Sequence, residues 1–269
     1  MTADPHASLV HSVSPQLRAL RGSCAISGVA TFGCGESPGH TEMELLAEAA
    51  RLAVADAGLT MADIDGLCTA SVLSTMWPMP VIEYLGLNPT FIDGTMLGGS
   101  SFIAHLMPAM LALAAGQCQA VLVCYGSTQR SGVMNRKAVA EARRQMDPQP
   151  YEQAYEPVMP VAAYALAASA HMARYGTTRR QLAEVAVAAR LWAQRNPEAF
   201  ERGPLSIDDV LAARMVASPL TVRDCCLVTD GAGAFVLTRS DRARHGPQPP
   251  VHLLGTATAC WHRQISALP

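Results

Sequence analysis

The sequence predicts an α/β fold whose core is interrupted by a helical segment, and three observations support this prediction. Apolar stretches of strand length alternate with stretches of helical pattern over residues 21–127. Residues 120–124 read Ala-Val-Leu-Val-Cys, a continuous apolar run that is typical of an interior strand buried on both faces. Residues 128–217 are polar at first and then helical in pattern, and strand patterns return after them. The predicted core therefore takes strands from both sides of the helical segment.

The elements before the helical segment are delimited by capping residues and glycines. Thr41 and Glu44 have capping-box spacing, so a helix is predicted to begin after Thr41, and Gly58 is predicted to end it. The other elements predicted here are strands at 24–32, 64–72, 90–93 and 120–124, and helices at 80–85 and 101–115. The helix at 101–115 follows a Gly-rich turn at 94–101. Because this helix is apolar nearly all round, it needs cover on several sides.

The helical segment and the strands after it are predicted from the same signals. Thr178 and Gln181 form a second capping box, Gly176 separates two helices, and Ser206 caps a short third helix. The predicted elements are helices at 161–175, 179–195 and 207–213, and strands at 232–238 and 251–257. Residues 130–155 are predicted to form a flexible or partly helical excursion.

Composition excludes several classes of function. Half of the 269 residues are hydrophobic and 16% are charged, which favours a large core and much burial. The net charge of −2 gives no general attraction to nucleic acid or to an anionic membrane. Glycines, serines, His105 and Pro108 interrupt the apolar run 96–115, so no membrane span is predicted. The eight cysteines have no zinc-ligand spacing, and they indicate a cytoplasmic protein with reduced thiols and no metal site.

Three segments of the chain resemble a known family. Residues 224–234, Asp-Cys-Cys-Leu-Val-Thr-Asp-Gly-Ala-Gly-Ala, resemble the element that closes the first half of thiolases. Residues 94–131 resemble the segment that carries the thiolase nucleophile, and residues 174–183 resemble part of the thiolase loop domain. The sequence thus resembles the thiolase superfamily over residues 22–265. Within the superfamily it is most similar to the lipid-transfer-protein-like branch, related to sterol-carrier-protein thiolases and steroid side-chain aldolases.

The resemblance implies a thiolase-like fold made of the first half and its helical loop-domain insertion, with the second half largely missing. The implied division is a disordered leader at 1–20, a first core part at 21–127, a helical loop domain at 128–217, a return strand of the core at 218–250, and the start of a truncated second half at 251–269. The helix at 101–115 resembles one of the two central helices that thiolases sandwich between sheets.

The resemblance also identifies the position of the thiolase nucleophile, which in that family is a cysteine where a strand meets a helix. Helix-terminal amides favour a thiolate at such a place. Counting back from Gly116 over the helix puts this position at Gly99, with Ser100 and Ser101 adjacent. Glycine cannot be acylated, and no cysteine lies nearby. The resemblance therefore implies a protein without the covalent thiolase mechanism.

Two further residue sets have a functional and a structural interpretation. Ser101 and His105 lie one helical turn apart and resemble a nucleophile and base, but a helix cap and a buried, hydrogen-bonded histidine are the favoured interpretation. Four arginines are candidates to bind the phosphates of coenzyme A, and the alternative is a solvated basic face. They are Arg130, Arg136, Arg143 and Arg144. Asp224 is expected to tie a turn through backbone hydrogen bonds.

Two classes of function remain open. In the first, the protein belongs to acyl-CoA or lipid metabolism, in an acyltransferase or retro-aldol lineage, and Gly99 favours the aldol route. In the second, it is a non-catalytic fragment or scaffold that needs a partner chain. The resemblance implies a coenzyme A thioester, with an acyl or sterol group, as substrate, and no permanently bound cofactor. It also implies a homodimer and a possible small partner with a zinc-ribbon/OB fold.

Overall fold

The computed structural model describes residues 14–71, 74, 76–132, 155 and 160–260. The chain folds into two compact units. The described residues of unit 1 fall within 14–33, 39–128 and 231–258, and those of unit 2 fall within 34–38, 129–230 and 259–260. In the part of the chain that the structure describes, no helix is both long and apolar enough to cross a membrane.

Unit 1 contains the following helices and strands: α1 (Pro15–Ala19), β1 (Cys24–Gly35), α2 (Glu42–Asp56), β2 (Gly66–Thr69), α3 (Pro78–Leu85), β3 (Phe91–Asp93), α4 (Ser101–Ala104), α5 (Leu106–Ala114), β4 (Ala120–Ser127), β7 (Asp230–Arg239), α9 (Ser240–Ala243) and β8 (Val251–His252). Its strands form a six-stranded sheet with the order β3-β2-β4-β7-β1-β8. Strands β2, β3 and β4 are parallel, whereas β7 is antiparallel to β4, and β8 is antiparallel to β1. The mixed sheet and its helices together confirm the predicted α/β fold class.

Strand β4 is the centre of the core. Leu122 and Cys124 belong to the cluster of buried side chains that includes α2, and Val121 and Val123 belong to the cluster that includes α5. All four side chains are buried, as predicted for an interior strand. At Gly126, a Cβ atom would lie 2.5 Å from the main-chain oxygen of Glu42, so glycine is required for α2 to pack this closely.

The helix predicted at 101–115 is divided into α4 and α5 at His105. The cause is Pro108, which has no N–H to donate to the carbonyl of Ala104 and whose ring crowds that carbonyl. The two short helices still follow the predicted course. This correction matters because His105 lies at the junction between them.

Strand bounds differ from the prediction where pairing partners end. Of the described part of the strand predicted at 64–72, only Gly66–Thr69 form β2, which pairs with β3 over Gly66–Cys68 and with β4 over Gly66–Thr69. Residue 72 lies outside the described residues. The strand predicted at 251–257 is limited to Val251 and His252. Of the leader expected at 1–20, Pro15–Ala19 form the short helix α1, which Ser14 caps, and residues 1–13 lie outside the described residues.

Unit 2 is mainly helical in its described residues. Its elements are α6 (Val161–Tyr175), α7 (Arg179–Ala193), α8 (Ile207–Ala212), β5 (Met215–Ala217) and β6 (Leu220–Thr221). Strands β5 and β6 form a separate antiparallel pair. The predicted capping box of Thr178 is present, and the predicted cap Ser206 forms a capping box with Asp209. Gly176 ends α6 with a φ of 70°. Most of the excursion predicted at 130–155 lies outside the described residues.

Candidate functional site

The Gly-rich turn at residues 94–101 lies between β3 and α4. Because β2, β3 and β4 are parallel, their carboxyl ends meet at one edge of the sheet, and the turn leaves the sheet at that edge. In open α/β sheets, ligands bind outside the carboxyl ends of the strands. This location makes the turn the candidate functional site of unit 1.

Asp93 fixes the beginning of the turn. Its Oδ1 accepts hydrogen bonds from the Thr95 amide at 2.8 Å and from the Thr95 hydroxyl at 2.7 Å. Gly94 permits the close approach of α3, since a Cβ atom there would lie 3.0 Å from Cγ of Pro78. The first residues of the turn are therefore held by strand β3 and packed against a second helix.

Ser101 fixes the middle of the turn. Its buried hydroxyl accepts a hydrogen bond from the Leu97 amide at 2.7 Å and donates one to the Gly98 carbonyl, also at 2.7 Å. Its proton is therefore committed to the backbone, which favours a structural role over a nucleophilic one. Ser100, the residue before α4, is exposed, and its side chain makes no capping hydrogen bond.

The buried side chain of His105 contacts the beginning of the turn. Its Nε2 lies 2.9 Å from the Thr95 carbonyl oxygen, and its Nδ1 is buried without a hydrogen-bond partner among the described residues. Burial lowers the pKa of His105, although the Thr95 carbonyl and Asp93 act in the opposite direction. The predicted buried, hydrogen-bonded histidine is confirmed. In the described turn, the side chains of Ser101 and His105 are not hydrogen-bonded to each other.

Gly99 has free space where a side chain would begin. A Cβ atom at Gly99 would have no heavy atom within 4 Å. Gly98 differs, because its φ of 79° lies in the left-handed region that favours glycine. Cys124 and Cys118 are buried outside the turn, and burial raises the pKa of these thiols to about 12 and about 11, respectively. Burial therefore favours the protonated form of both thiols, and neither of them lies in the turn that contains Gly99.

Glu42 contributes a carboxyl group near the same edge of the sheet, and the sequence analysis did not identify this residue as a candidate. Glu42, the first residue of α2, accepts a hydrogen bond from the Ser71 hydroxyl at 3.2 Å, and Ser71 follows β2. Burial raises the pKa of Glu42, and the Ser71 hydrogen bond opposes this shift. In the sequence, the capping-box spacing identified Glu44, whereas no pattern identified Glu42.

Unit 2 contains a second polar centre, at Asp230. The buried Asp230 carboxylate accepts hydrogen bonds from the amides of Ser37 at 2.9 Å, Arg130 at 2.8 Å and Ser131 at 3.0 Å. These hydrogen bonds outweigh desolvation and lower the pKa of Asp230 to about 2. The Asp-Gly-Ala pattern at 230–232 was the only sequence signal for this centre, and it did not reveal the donors.

Arg130 is held by three neighbours within unit 2. Its guanidinium lies 4.9 Å from the ring centre of Phe200, its Nε lies 3.3 Å from Glu36 Oε2, and its Nη1 donates to the Val228 carbonyl at 3.3 Å. Its side chain is nevertheless 37% exposed. The other three arginines expected to contact coenzyme A, Arg136, Arg143 and Arg144, lie outside the described residues.

Asp224 ties a turn in unit 2, as the sequence predicted. Its Oδ2 accepts hydrogen bonds from the Thr221 amide at 2.6 Å and from the Thr221 hydroxyl at 2.7 Å, and it also pairs with Arg179 at 3.1 Å. A groove of about 450 Å³ runs beside this turn, and its lining includes Cys225 and Cys226. Within the described residues, no group of three or more His, Cys, Asp or Glu side chains is arranged to hold a metal.

Comparisons with known proteins identify relatives over most of the chain, although no protein-family model matches it. The steroid side-chain-cleaving aldolase of Thermomonospora curvata is 33% identical over 254 residues, which cover 91% of this chain and 64% of the relative. The 17-hydroxy-3-oxo-4-pregnene-20-carboxyl-CoA lyase of Mycobacterium tuberculosis is 33% identical over 247 residues, which cover 90% of this chain and 64% of the relative.

A solved structure agrees with these sequence relatives. The structure described as an Ltp2-ChsH2(DUF35) aldolase superposes with a TM-score of 0.77 and 31% identity, over 88% of this chain and 60% of that chain. The fold and the turn thus define a thiolase-like α/β protein. The chain belongs to the thiolase superfamily, in the branch of sterol-carrier-protein-like thiolases and steroid side-chain-cleaving aldolases. It spans about 64% of the length of these two curated relatives.

Proposed function

We propose that this chain supplies the Gly-rich turn of an aldolase that cleaves a carbon–carbon bond in a β-hydroxyacyl coenzyme A thioester. The observation that carries the proposal is the free space at Gly99, a residue without a thiol that we infer to correspond to the thiolase nucleophile. An acyl transfer through cysteine is impossible at such a position. A retro-aldol reaction needs no acyl-enzyme, so the free space at Gly99 is compatible with it.

The proposed reaction can be followed by its bonds. A base removes the proton of the β-hydroxyl group, the bond between the α and β carbons breaks, and the β carbon becomes a ketone. The electron pair of that bond forms an enolate with the thioester carbonyl, which is then protonated at the α carbon. Hydrogen-bond donors placed at the thioester oxygen stabilise such an enolate. We assign the base to none of the described residues.

The proposed substrate class is a steroid or other bulky β-hydroxyacyl thioester of coenzyme A. This substrate class is supported by the two relatives described above. One is a steroid side-chain-cleaving aldolase, and the other is a lyase of a 17-hydroxy steroid coenzyme A thioester. Arg130 is the described residue that we propose as a contact for the phosphates of coenzyme A, through the exposed part of its guanidinium.

We further propose that the active protein is an assembly. Strand β3 lies at one edge of the sheet, and the side chain of Ile92 within it is exposed, so a second copy can pair there. The solved aldolase of similar fold is described as a complex that contains a DUF35 component. A homodimer that also binds a small partner of the zinc-ribbon/OB-fold type is therefore the proposed state.

The test is an assay with 17-hydroxy-3-oxo-4-pregnene-20-carboxyl-CoA, using the full chain alone and co-expressed with a DUF35-type protein. The proposal expects a 17-ketosteroid and a shortened acyl-CoA in equal amounts, formed faster by the co-expressed complex. Chromatography of both products measures the reaction. The Mycobacterium tuberculosis lyase serves as the positive control. If it forms these products and neither preparation of this chain does, the proposed activity is wrong.

A further inference from the structure

The Gly-rich turn is held by three side chains, and His105 is the one whose chemistry remains unexplained. Asp93 binds the Thr95 amide and hydroxyl, and Ser101 binds the Leu97 amide and the Gly98 carbonyl. The Thr95 carbonyl is left to His105, whose Nε2 lies 2.9 Å away. This contact spans ten residues of sequence and joins the start of the turn to the helix junction.

We propose that His105 is a positioning residue for the reaction: its Nε2–H donates to the Thr95 carbonyl and so fixes the backbone of Gly98 and Gly99. The inference rests on the proposed aldolase function, because it assigns the turn as the surface on which the thioester lies. His105 is fully buried and does not touch substrate. Its effect on the reaction is exerted through the conformation of the turn.

The helix junction explains how the imidazole reaches the turn. The His105 amide donates to the Ser101 carbonyl at 2.9 Å, and the His105 carbonyl accepts from the Ala109 amide at 3.1 Å. Pro108 interrupts the helix between these two hydrogen bonds. The backbone of His105 thus ends α4 and begins α5, and its side chain, in edge contact with the Phe102 ring at 5.8 Å, bonds to Thr95.

Hydrogen-bond chemistry determines the tautomer. A carbonyl oxygen only accepts, so the proton must be on Nε2, and Nδ1 must then be an unprotonated acceptor. Nδ1 is buried without a donor among the described residues. A buried acceptor without a partner destabilises a fold, and an apolar side chain of similar size avoids that cost. Packing alone therefore does not account for histidine here, whereas the Nε2–H donor does.

Three variants separate the donor from the packing. In His105→Gln, the amide nitrogen occupies about the place of Nε2 and can donate to Thr95. In His105→Asn, the shorter amide corresponds to Nδ1 and does not reach. In His105→Leu, the volume is kept and the donor is lost. The proposal expects His105→Gln to retain kcat within about threefold and the other two variants to lose about tenfold, the effect of one oriented hydrogen bond.

A structural role and a positioning role differ in their other readouts. A positioning role predicts that the loss falls mainly on kcat and that KM stays within about twofold, because an oriented turn stabilises the transition state more than the bound substrate. It also predicts faster hydrogen exchange at the Leu97 and Ser101 amides in His105→Leu and His105→Asn, with exchange in β4 unchanged. If His105→Gln exchanges as fast as His105→Leu at the turn, or if His105→Leu exchanges like the wild type, the proposal is wrong.

The experiment distinguishes failure of this inference from failure of the aldolase proposal. Hydrogen exchange in the full chain needs no substrate, so it decides the role of His105 even if no thioester is cleaved. A long-range ¹H–¹⁵N correlation spectrum of the wild type reports the tautomer without any variant. A proton on Nε2 supports the assignment, and a proton on Nδ1 alone overturns it even if every variant fails to fold.

Discussion

At the scale of single residues, two neighbouring glycines differ in the strain that replacement by another residue would cause. Gly98 has a φ of 79°, whereas Gly99 has free space and no left-handed φ. The Gly98→Cys and Gly99→Cys variants are therefore a matched pair. We expect Gly99→Cys to change the free energy of unfolding by less than about 1 kcal/mol and Gly98→Cys to reduce it by about 1–2 kcal/mol, the cost of a left-handed non-glycine residue.

Urea unfolding of both variants measures this difference, and the reaction with iodoacetamide adds a second readout. The thiol in Gly99→Cys should react readily, because no heavy atom crowds its Cβ position. Equal losses of stability in the two variants would contradict the assignment of strain to Gly98 alone. Slow alkylation of Gly99→Cys would contradict the free space.

Asp230 makes stability depend on pH at the acid end. Its pKa in the folded protein is about 2, below the value of about 3.9 for an unfolded chain. A depressed pKa means that the stabilisation is fully present above pH about 4 and is lost as the pH falls towards 2. In Asp230→Asn, an amide N–H faces a main-chain N–H, so we expect a loss of about 1–3 kcal/mol at pH 7 and a weaker acid dependence.

The control for Asp230 is Glu83→Gln, which removes an exposed carboxylate on α3. Surface changes of this kind stay within about 0.5 kcal/mol. Thermal melts at several pH values between 2 and 7 compare the variants with the wild type. The role of Asp230 is refuted if Asp230→Asn and Glu83→Gln have the same stability at pH 7.

At the scale of elements, α4 and α5 are covered on one side only within the described chain. Leu106, Met110 and Leu113 are buried, whereas Ile103 is 62% exposed and Leu111 is 42% exposed. Both exposed side chains belong to the apolar helical region predicted at 101–115. The sequence predicted that this region needs cover on several sides, and the two exposures show that part of it is uncovered among the described residues.

We expect the exposed face to bind the hydrophobic dye ANS in the isolated chain. The double variant Ile103→Gln/Leu111→Gln should reduce the fluorescence, with a change in unfolding free energy of less than about 1 kcal/mol. The control Leu113→Ala removes a fully buried side chain and should cost about 2–5 kcal/mol. Dye binding that is unchanged in the double variant would show that another surface binds the dye.

Some of these structural features could be predicted from the sequence, and others could not. The capping boxes of α2 and α7 and the cap Ser206 of α8 located the start of each helix, because a cap involves residues only three positions apart. The division at His105 was missed, although Pro108 was visible, because the apolar pattern continues through it. The Asp230 centre depends on donors that lie 193 and 100 residues away in sequence, and no local pattern encodes such a contact.

At the scale of the whole molecule, we predict that the chain does not catalyse thiolysis. Gly99 cannot carry an acyl group, and Cys118 and Cys124 are buried with raised pKa values. Incubation with acetoacetyl-CoA and free coenzyme A should give no acetyl-CoA above background. The Gly99→Cys variant is a useful companion, since it restores a thiol at this position. Turnover by the wild type that alkylation abolishes would disprove the prediction.

Assembly is the second prediction at this scale. We expect light scattering to give a mass of twice 28.5 kDa or more, because β3 is an open edge and α4–α5 expose an apolar face. Charged residues at a sheet edge oppose pairing, so Ile92→Lys should shift the protein towards the monomer. A wild-type monomer that unfolds cooperatively would refute the predicted assembly.

The order of strands in unit 1 has a consequence for biosynthesis. Strand β7 lies between β4 and β1, yet it is made more than a hundred residues after β4 begins. When residue 128 leaves the ribosome, the two parts of the sheet lack the strand that joins them. Domains fold as units during synthesis, so this core can close only after residue 239 has emerged. Until then the edges of β4 and β1 that β7 will occupy are unpaired, and unpaired strand edges are prone to aggregate with other chains.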